Sequence, residues 1–338
     1  MGGRGNALSS GEPLIGKQGL VTVGFVSHHV EALPFIRKQM ERHETLVLEE
    51  PSAPSFPGML NGHLSVDDYL LEIDSEFPRF DRLMCGLLME FHGMGRRIIQ
   101  VEPYLERLIE IHERFADGKT VADVMASDSL RNVYRAERAA TGALIAYYSK
   151  SVSASFSEVV EAVKTFARVD AGRIALRDRL RARAIASAAD AGESILVEAG
   201  YIHYSLYRHL LNQMGVSWKV RVIFLLEPVI RELNGKRRNF GPGDILTLRY
   251  ALNRHPSRAL ADLLAARSLI FIKLIETEEL LPGASLAPHA EDEIRVSRIV
   301  DQLSFDDCEK LFNTIRLLKR DFASQTVEDY VASKTETS

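Results

Sequence analysis

The sequence predicts an α/β fold, with a mostly parallel sheet of about five strands, helices on both faces, a long helical insertion and a C-terminal helical region. Short β-branched apolar runs alternate with stretches in which apolar residues recur every three or four positions. Parallel strands need crossover connections, and helices commonly supply them. In addition, residues 102–191 are rich in Ala, Glu, Arg and Leu and contain a single proline, which is typical of long helices.

Five apolar runs are predicted to form the strands. They are 19–27 (GLVTVGFVS), the run LVLEEP that follows Thr45, 96–101 (RRIIQV), 193–199 (ESILVEA) and 218–226 (WKVRVIFLL). Helical spacing predicts helices between them, at 30–43, within 65–94, through 102–191 and at 203–214. The expected organisation is a flexible leader 1–17, an α/β domain 18–235 with the insertion 102–191, a helical region 236–331 and a flexible tail 332–338.

Composition indicates an ordinary globular protein. The 338 residues are 46% hydrophobic and 26% charged, and 42 basic against 46 acidic side chains give a formal charge of −4. The lack of a long basic tract argues against a nucleic-acid partner. Cys85 and Cys308 are too few and too far apart for a disulfide framework or a zinc pattern, so they predict a reducing compartment and a cytoplasmic protein.

Several specific functional classes lack their sequence signatures. No run of about 18 apolar residues predicts a membrane span, and residues 1–17 lack the apolar core of a signal peptide. The chain contains no GxSxG elbow, Walker loop or GxGxxG motif. We therefore expect a small-molecule ligand or substrate and no membrane partner, while a homo-oligomer stays open.

Polar residues gather where the predicted strands end. In open α/β sheets, ligands bind beyond the carboxyl ends of the strands, so these positions are candidate site residues. They are His28 and His29 after the first strand, Glu49 and Glu50 after the second, and Tyr201 and His203 after the fourth. Imidazole and carboxylate groups can move protons, activate water or ligate a divalent metal.

Two interpretations of these residues remain open. In the functional one, His28, Glu49 and His203 form a catalytic site or hold a divalent metal, with haem as a less favoured cofactor. In the structural one, each histidine is a satisfied, partly exposed side chain and Glu50 caps the next element.

Five short motifs and their order along the chain resemble those of the superfamily of erythromycin esterases, ChaN lipoproteins and TraB/Tiki proteins. They are a strand ending in Gly24 to His28, Arg37 on the next helix, Glu49 or Glu50, the pair Arg177 and Asp178, and His203. The resemblance implies a long helical insertion and a cleft at the strand ends. It also implies that His28 is a general base or ligand, that Glu49 is its partner, and that Arg37 and His203 belong to the site.

The sequence departs from that pattern at Phe25. Esterase-type members carry a glutamate directly after the first motif glycine, and phenylalanine can neither accept a proton nor bind a metal. Either Glu31 or Glu50 takes over this role, or the esterase chemistry is lost.

We therefore expect a hydrolase that acts on an ester or amide, with His28, Glu49 and His203 activating water and Arg37 binding a carboxylate or oxyanion. Substrate-binding roles are expected for Phe25, His29, Glu50, Tyr201 and Arg177. The alternative is a binding protein without turnover, for a metal, haem or an anionic metabolite. A third hypothesis is an interaction protein that uses apolar residues exposed along 244–281.

Overall fold

The computed structural model describes residues 18–336 of the chain, and the predicted leader 1–17 lies outside them. Within the described residues, five strands form one parallel sheet in the order β3-β2-β4-β1-β5. The strands are β1 (Gly19–Val26), β2 (Thr45–Leu48), β3 (Arg97–Gln100), β4 (Ser194–Gly200) and β5 (Trp218–Phe224). The predicted α/β fold is confirmed, and every neighbouring pair of strands is parallel.

Helices make up most of the remaining described chain. They are α1 (Leu33–Met40), α2 (Phe56–Leu60), α3 (Val66–Glu72), α4 (Pro78–Gly93), α5 (Pro103–Ala116), α6 (Val121–Ala126), α7 (Asp128–Ser153), α8 (Phe156–Ala188), α9 (Tyr204–Gln213), α10 (Glu227–Asn234), α11 (Pro242–Ala251), α12 (Arg258–Leu274), α13 (Pro288–Asp301), α14 (Phe305–Ile315) and α15 (Arg320–Glu336). Single turns of 3₁₀ helix, Val30–Ala32 and Tyr201–His203, precede α1 and α9. None of the described helices has the length and apolar character that a membrane crossing needs.

The two faces of the sheet bury different sets of side chains, because successive strand residues point to opposite faces. On one face, Val23 of β1 and Val197 of β4 pack in a core with residues of α8 and α9. On the other face, Leu48 of β2 and Leu196 of β4 pack with residues of α1 and α4. Helices therefore cover both faces, as the alternation of strand and helix in the sequence predicts.

The insertion and the C-terminal helices share a third core. Phe156 and Val160, at the start of α8, are buried in one cluster with Leu269 of α12, Phe312 of α14 and Val327 of α15. Helix α8 has 33 residues and is therefore about 50 Å long at 1.5 Å per residue. Its first turns belong to the helical core, while Ala182 and Ile185 near its end pack against the sheet.

The tail predicted at 332–338 is helical as far as the structure describes it, because α15 continues to Glu336. Buried Asp307 of α14 explains this difference. The Tyr330 hydroxyl donates to Asp307 Oδ1 and Lys334 Nζ donates to Asp307 Oδ2, both at 2.6 Å. These two bonds fix the last turns of α15 against α14, which the polar composition of the tail does not reveal.

Candidate active site

A cavity of about 740 Å³ opens at the carboxyl ends of strands β1 to β4. Four of its polar side chains come from those strands or from the residue or two after them: His28, Glu50, Gln100 and Glu198. All four belong to the strand positions that point toward the α1 and α4 face of the sheet, as Leu48 and Leu196 do. These four side chains come from distant parts of the chain. They meet because the strands pair in parallel and because every second side chain of a strand points to the same face of the sheet.

Glu198 is a charged residue within an otherwise buried strand. Its side chain is 11% exposed, and His28 Nε2 lies 3.8 Å from Glu198 Oε1. Burial, and next the charge of Glu49, raise the pKa of Glu198 to about 7, with Arg181 opposing the shift. The carboxyl group is therefore ready to take up or release a proton near neutral pH.

Aromatic rings hold the His28 side chain at the cavity. Its ring centroid lies 5.3 Å from that of Phe80 and 5.7 Å from that of Phe77. Phe77 immediately precedes α4 and Phe80 lies in its first turn, so the start of this helix fixes the imidazole beside β4. The ring remains accessible, because 37% of the side chain is exposed.

Glu50 is the second carboxyl group of the cavity with a raised pKa. Gln100 Nε2 donates to Glu50 Oε2 at 2.8 Å and to the Tyr69 hydroxyl at 3.0 Å. Burial raises the pKa of Glu50 to about 7, and the nearby Glu198 and Asp81 add to the shift, while Gln100 opposes it. Glu50 can therefore carry a proton at neutral pH and donate it.

A buried cluster of three carboxylates and three basic side chains lies beside the cavity, on the α8 side of the sheet. Its members are Glu49, Glu102 and Asp178 with Arg177, Arg181 and His203. Arg177 and Arg181 are four residues apart on α8, so both face the sheet from the same side of the helix.

Glu49 is the centre of this cluster. Its Oε1 lies 2.9 Å from His203 Nε2 and 3.2 Å from Arg177 Nη2. Its Oε2 accepts the Gly200 backbone N–H at 2.7 Å and lies 3.4 Å from Arg181 Nη1. Burial alone would raise the pKa of Glu49, but His203, Arg181 and Arg177 outweigh it and hold that pKa well below its usual value.

His203 lies between two carboxylates. Its Nδ1 is 2.5 Å from Asp178 Oδ1, and the Ser205 hydroxyl donates to the other oxygen of Asp178. Burial lowers the pKa of His203, but Glu49 and Asp178 together raise it to about 9. His203 is then an imidazolium at neutral pH and Glu49 is paired on both oxygens; the expected role of these two residues in activating water stays a prediction, which this pairing disfavours. They hold the end of β4 in place.

The predicted metal site of His28, Glu49 and His203 is not assembled. Within residues 18–336, no group of three or more His, Cys, Asp or Glu side chains is arranged to hold a metal ion. Glu49 and His203 bind to each other, and two guanidinium groups already neutralise Glu49. This donor set does not fit a divalent cation.

Arg37 does not reach the cavity. Its guanidinium binds Glu90 of α4 with both terminal nitrogens, and it packs over the Phe91 ring at 5.7 Å. The helix that carries Arg37 begins at Leu33, directly after the 3₁₀ turn, so Arg37 lies on the side of α1 that faces the end of α4. The expectation that Arg37 binds a carboxylate or oxyanion in the site is corrected accordingly.

We therefore expect Arg37→Ala to leave turnover unchanged, since this ion pair is exposed and lies outside the cavity. The measurement is kcat/KM of Arg37→Ala on any substrate that the wild-type protein converts. Arg177→Ala is the matched control, and we expect it to lower kcat/KM by disturbing the buried cluster. A clear loss in Arg37→Ala alone would contradict this assignment.

Three expected substrate-binding residues lie outside the cavity lining. Phe25 is fully buried on the α9 side and stacks on Tyr204 and Phe224. Tyr201 stacks on Phe224, and the His29 ring lies parallel to that of His289 at 3.7 Å. Phe25 belongs to the strand positions that face α8 and α9. Because strand side chains alternate between the two faces of the sheet, Phe25 and His28 point to opposite faces.

The two carboxylates considered as replacements at Phe25 have different positions. Glu31 is buried and accepts the backbone N–H groups of His289 and Ala290, which begin α13. It caps that helix and does not line the cavity. Glu50 lines the cavity, and so does Glu49, whereas Arg177 approaches this edge through its pair with Glu49.

Sequence reasoning missed Glu198, Tyr69, Asp81 and Gln100, all of which line the cavity. A signal existed for Glu198, because a lone charge inside the buried run ILVEAG needs a partner or a function. No comparable signal marks Tyr69 or Asp81, which enter the site through the packing of α3 and α4.

Comparisons with known proteins identify one clear relative. No protein-family model matches the chain, and no solved structure matches it significantly. An uncharacterized protein of Archaeoglobus fulgidus is 31% identical over 291 residues, which is 86% of this chain and 97% of that protein. The chain belongs to the family of that archaeal protein. The match is longer than the α/β domain 18–235, so the family shares helical parts of the chain as well as the sheet.

Proposed function

We propose that the protein is a hydrolase that cleaves an ester or an amide in the cavity at the strand ends. The observation that carries this proposal is the meeting of His28 with two carboxyl groups, Glu198 and Glu50, whose pKa values are raised to about 7. Acid and base catalysts work best when their pKa lies near the working pH. A cavity of about 740 Å³ is within the usual size of small-molecule sites.

His28 is the general base of this proposal. A neutral imidazole takes a proton from a water molecule as the water oxygen attacks the substrate carbonyl carbon. The carboxyl group of Glu198, 3.8 Å from Nε2, orients the ring and stabilises the imidazolium that forms. Glu50, protonated in its buried position, then gives its proton to the departing alcohol or amine as the carbon–oxygen or carbon–nitrogen bond breaks.

The buried cluster supplies the positioning in this mechanism. Arg181 donates from Nε to the Val101 carbonyl at 2.9 Å and from Nη2 to the Glu198 carbonyl at 2.7 Å. Glu49 accepts the N–H of Gly200, two residues beyond Glu198. The ends of β3 and β4 are thereby tied to each other and to α8. This holds the Glu198 backbone while its side chain enters the cavity.

We further propose that the chain is a divergent member of the erythromycin esterase, ChaN and TraB/Tiki superfamily. The motif order supports this, and the carboxyl groups of Glu50 and Glu198 offer acid–base chemistry that Phe25 cannot. We also propose a cytoplasmic location. Both cysteines are free and buried, which agrees with a reducing compartment.

The test is a screen of small esters and amides with the wild-type protein and with His28→Ala. We expect turnover of at least one substrate and a loss of about 10²-fold or more in kcat for His28→Ala. His63→Ala, at an exposed position outside the cavity lining, is the matched control and should retain full activity. Equal activity in wild type and His28→Ala would overturn the proposal.

A binding protein without turnover is the remaining alternative. If no substrate is converted while a ligand still raises the melting temperature of the wild-type protein, this alternative replaces the hydrolase. The carboxylate-rich lining speaks against the anionic metabolite that the sequence left open as a ligand.

A further inference from the structure

The ionisable side chains that line the strand-end cavity are almost all acidic. Eight carboxyl side chains line it: Glu49, Glu50, Glu72, Asp74, Glu76, Asp81, Glu113 and Glu198. Among the described residues of the lining, none is Lys or Arg, and His28 is the single imidazole. The whole chain has 46 acidic and 42 basic residues, so this local excess is far from the average of the sequence.

Internal ion pairs neutralise little of this charge. Glu49 is matched by Arg177, Arg181 and His203. Within residues 18–336, the other seven carboxyl groups form no salt bridge with Lys or Arg. Three of them accept a hydrogen bond from a neutral side chain: Glu50 from Gln100, Glu72 from Ser55 and Asp81 from Ser75. Glu198 has the His28 contact at 3.8 Å. The cavity therefore holds a negative potential that the described protein does not compensate.

The remaining lining suits a cation that carries apolar groups. Tyr69, Phe77 and Phe80 contribute aromatic rings, and Leu105 and Ile109 of α5 contribute aliphatic surface. The face of an aromatic ring attracts a cation, and this attraction strengthens when water is excluded. Carboxylates beside aromatic rings are the combination that recognises an alkylated ammonium group.

A second large cavity of the same protein shows that this lining is not a general property of its surface. That cavity, of about 940 Å³ between α1, α4, α10 and the start of α13, is mostly apolar. Its charged residues include Arg37 as well as Glu31, Glu232 and Glu291. The cavity that contains His28 and Glu198 thus has eight carboxyl groups and no Lys or Arg in its described lining, whereas the second cavity has three carboxyl groups and one Arg.

We propose that the strand-end cavity selects a positively charged substrate, namely an ester or amide that carries an amine or quaternary ammonium group. The ester or amide part rests on the proposed hydrolase function, whereas the selection of a cation rests on the lining alone. Asp81 and ionised Glu198 lie in the inner part of the lining and bind the charge, while protonated Glu50 beside them remains the acid. Exposed Glu72, Asp74, Glu76 and Glu113 form the rim and attract the charge from solution.

The experiment compares ligands that differ only in charge. The probes are choline with its neutral isostere 3,3-dimethylbutan-1-ol, and butyrylcholine with 3,3-dimethylbutyl butyrate. Binding to the wild-type protein is measured by calorimetry at low salt and at about 0.5 M salt. We expect the cationic member of each pair to bind at least about tenfold tighter at low salt, and high salt to reduce this advantage.

A triple variant of the rim, Glu72→Gln with Glu76→Gln and Glu113→Gln, isolates the electrostatic contribution. It should weaken binding of the cationic probes and leave the neutral isosteres unchanged. The matched control removes three exposed carboxylates outside both cavities, by Glu41→Gln, Glu278→Gln and Glu309→Gln. Equal weakening in the control would show an effect of net charge alone and would overturn the assignment to the cavity.

The outcomes separate the two proposals. Tight binding of choline and butyrylcholine without hydrolysis of butyrylcholine, or of any ester or amide in the screen, supports cation selection and removes the hydrolase. Equal hydrolysis of butyrylcholine and 3,3-dimethylbutyl butyrate supports the hydrolase and overturns cation selection. Equal or absent binding of both members of each pair also overturns cation selection.

Discussion

Glu49→Ala is expected to lower the free energy of unfolding by about 3–5 kcal/mol, the largest stability effect of any single substitution in the site. Glu49 is 7% exposed at its side chain, and it is the carboxylate that Arg177, Arg181 and His203 share. Removing it leaves three buried basic groups with only Glu102 and Asp178 as partners, and it leaves the Gly200 N–H without its acceptor. Breaking one side of a buried pair costs far more than removing an exposed charge.

The measurement is urea unfolding of wild type, Glu49→Ala and Glu49→Gln, followed by circular dichroism. The glutamine keeps the shape and one acceptor, so we expect it to be destabilised less than the alanine. Glu232→Ala, at an exposed position, is the control and should unfold like the wild type. A Glu49→Ala protein as stable as wild type would contradict the assigned role of the cluster.

The pH dependence of stability has a definite sign at this cluster. The pKa of His203 is raised to about 9, so its contribution is fully present below its usual pKa of 6.5 and disappears as the pH rises through 9. The pKa of Glu49 is lowered, so its contribution is present above its usual value of 4.5 and disappears in acid. In Glu49→Ala, the loss of stability between pH 6.5 and 9 should become smaller, since His203 has lost one of its two carboxylates.

Glu198→Gln is expected to lower kcat by about 10²-fold or more while stabilising the protein above pH 7. Glutamine has nearly the same shape but cannot stabilise the imidazolium of His28 or accept its proton. Activity falls while stability rises, because ionisation of a buried carboxyl group with a raised pKa costs stability, and glutamine cannot ionise. A merely structural role of Glu198 would not combine lost activity with gained stability.

The direction in which Glu198 changes the stability with pH follows from the linkage between proton binding and folding. Its pKa is raised from 4.5 to about 7, so its contribution to stability is fully present below pH 4.5 and disappears as the pH rises through 7. At pH 8 the ionised group costs up to about 3 kcal/mol, a cost that the neutral glutamine avoids. Unfolding experiments at pH 5 and pH 8 measure this difference. The role of Glu198 would be contradicted if Glu198→Gln were as active as the wild type, or if it were less stable than the wild type at pH 8.

Periodicity predicted the elements of the sheet, but not their order. Each strand is a local apolar run, and the structure has strands at all five predicted runs. The position of β4 between β2 and β1 depends on pairing with residues 150 positions earlier in β2 and 174 positions earlier in β1, which no local pattern encodes. The sequence therefore indicated which residues lie at the strand ends, but not that His28 lies beside Glu198 while Glu49 binds His203.

The contacts of the candidate site residues were harder to predict than their positions along the chain. Glu49 and Glu50 are adjacent in sequence and both line the cavity, yet Glu49 is paired within the buried cluster and Glu50 is not, because neighbouring residues point to opposite faces. The protonation of His203 depends on Asp178, which arrives from α8. Arg37 was expected in the site from the motif order alone, and its partner Glu90 lies on α4.

A carbon-13 NMR titration of the glutamate carboxyl groups tests the central claim most directly, namely that Glu50 and Glu198 form an acid–base site at the strand ends. We expect two carboxyl resonances that titrate near pH 7, one of which is lost in Glu50→Gln and the other in Glu198→Gln. Removal of Glu198 is also expected to lower the pKa of Glu50, because the charge of Glu198 helps to raise it. Titration of both groups near the ordinary value of 4.5 would contradict the account.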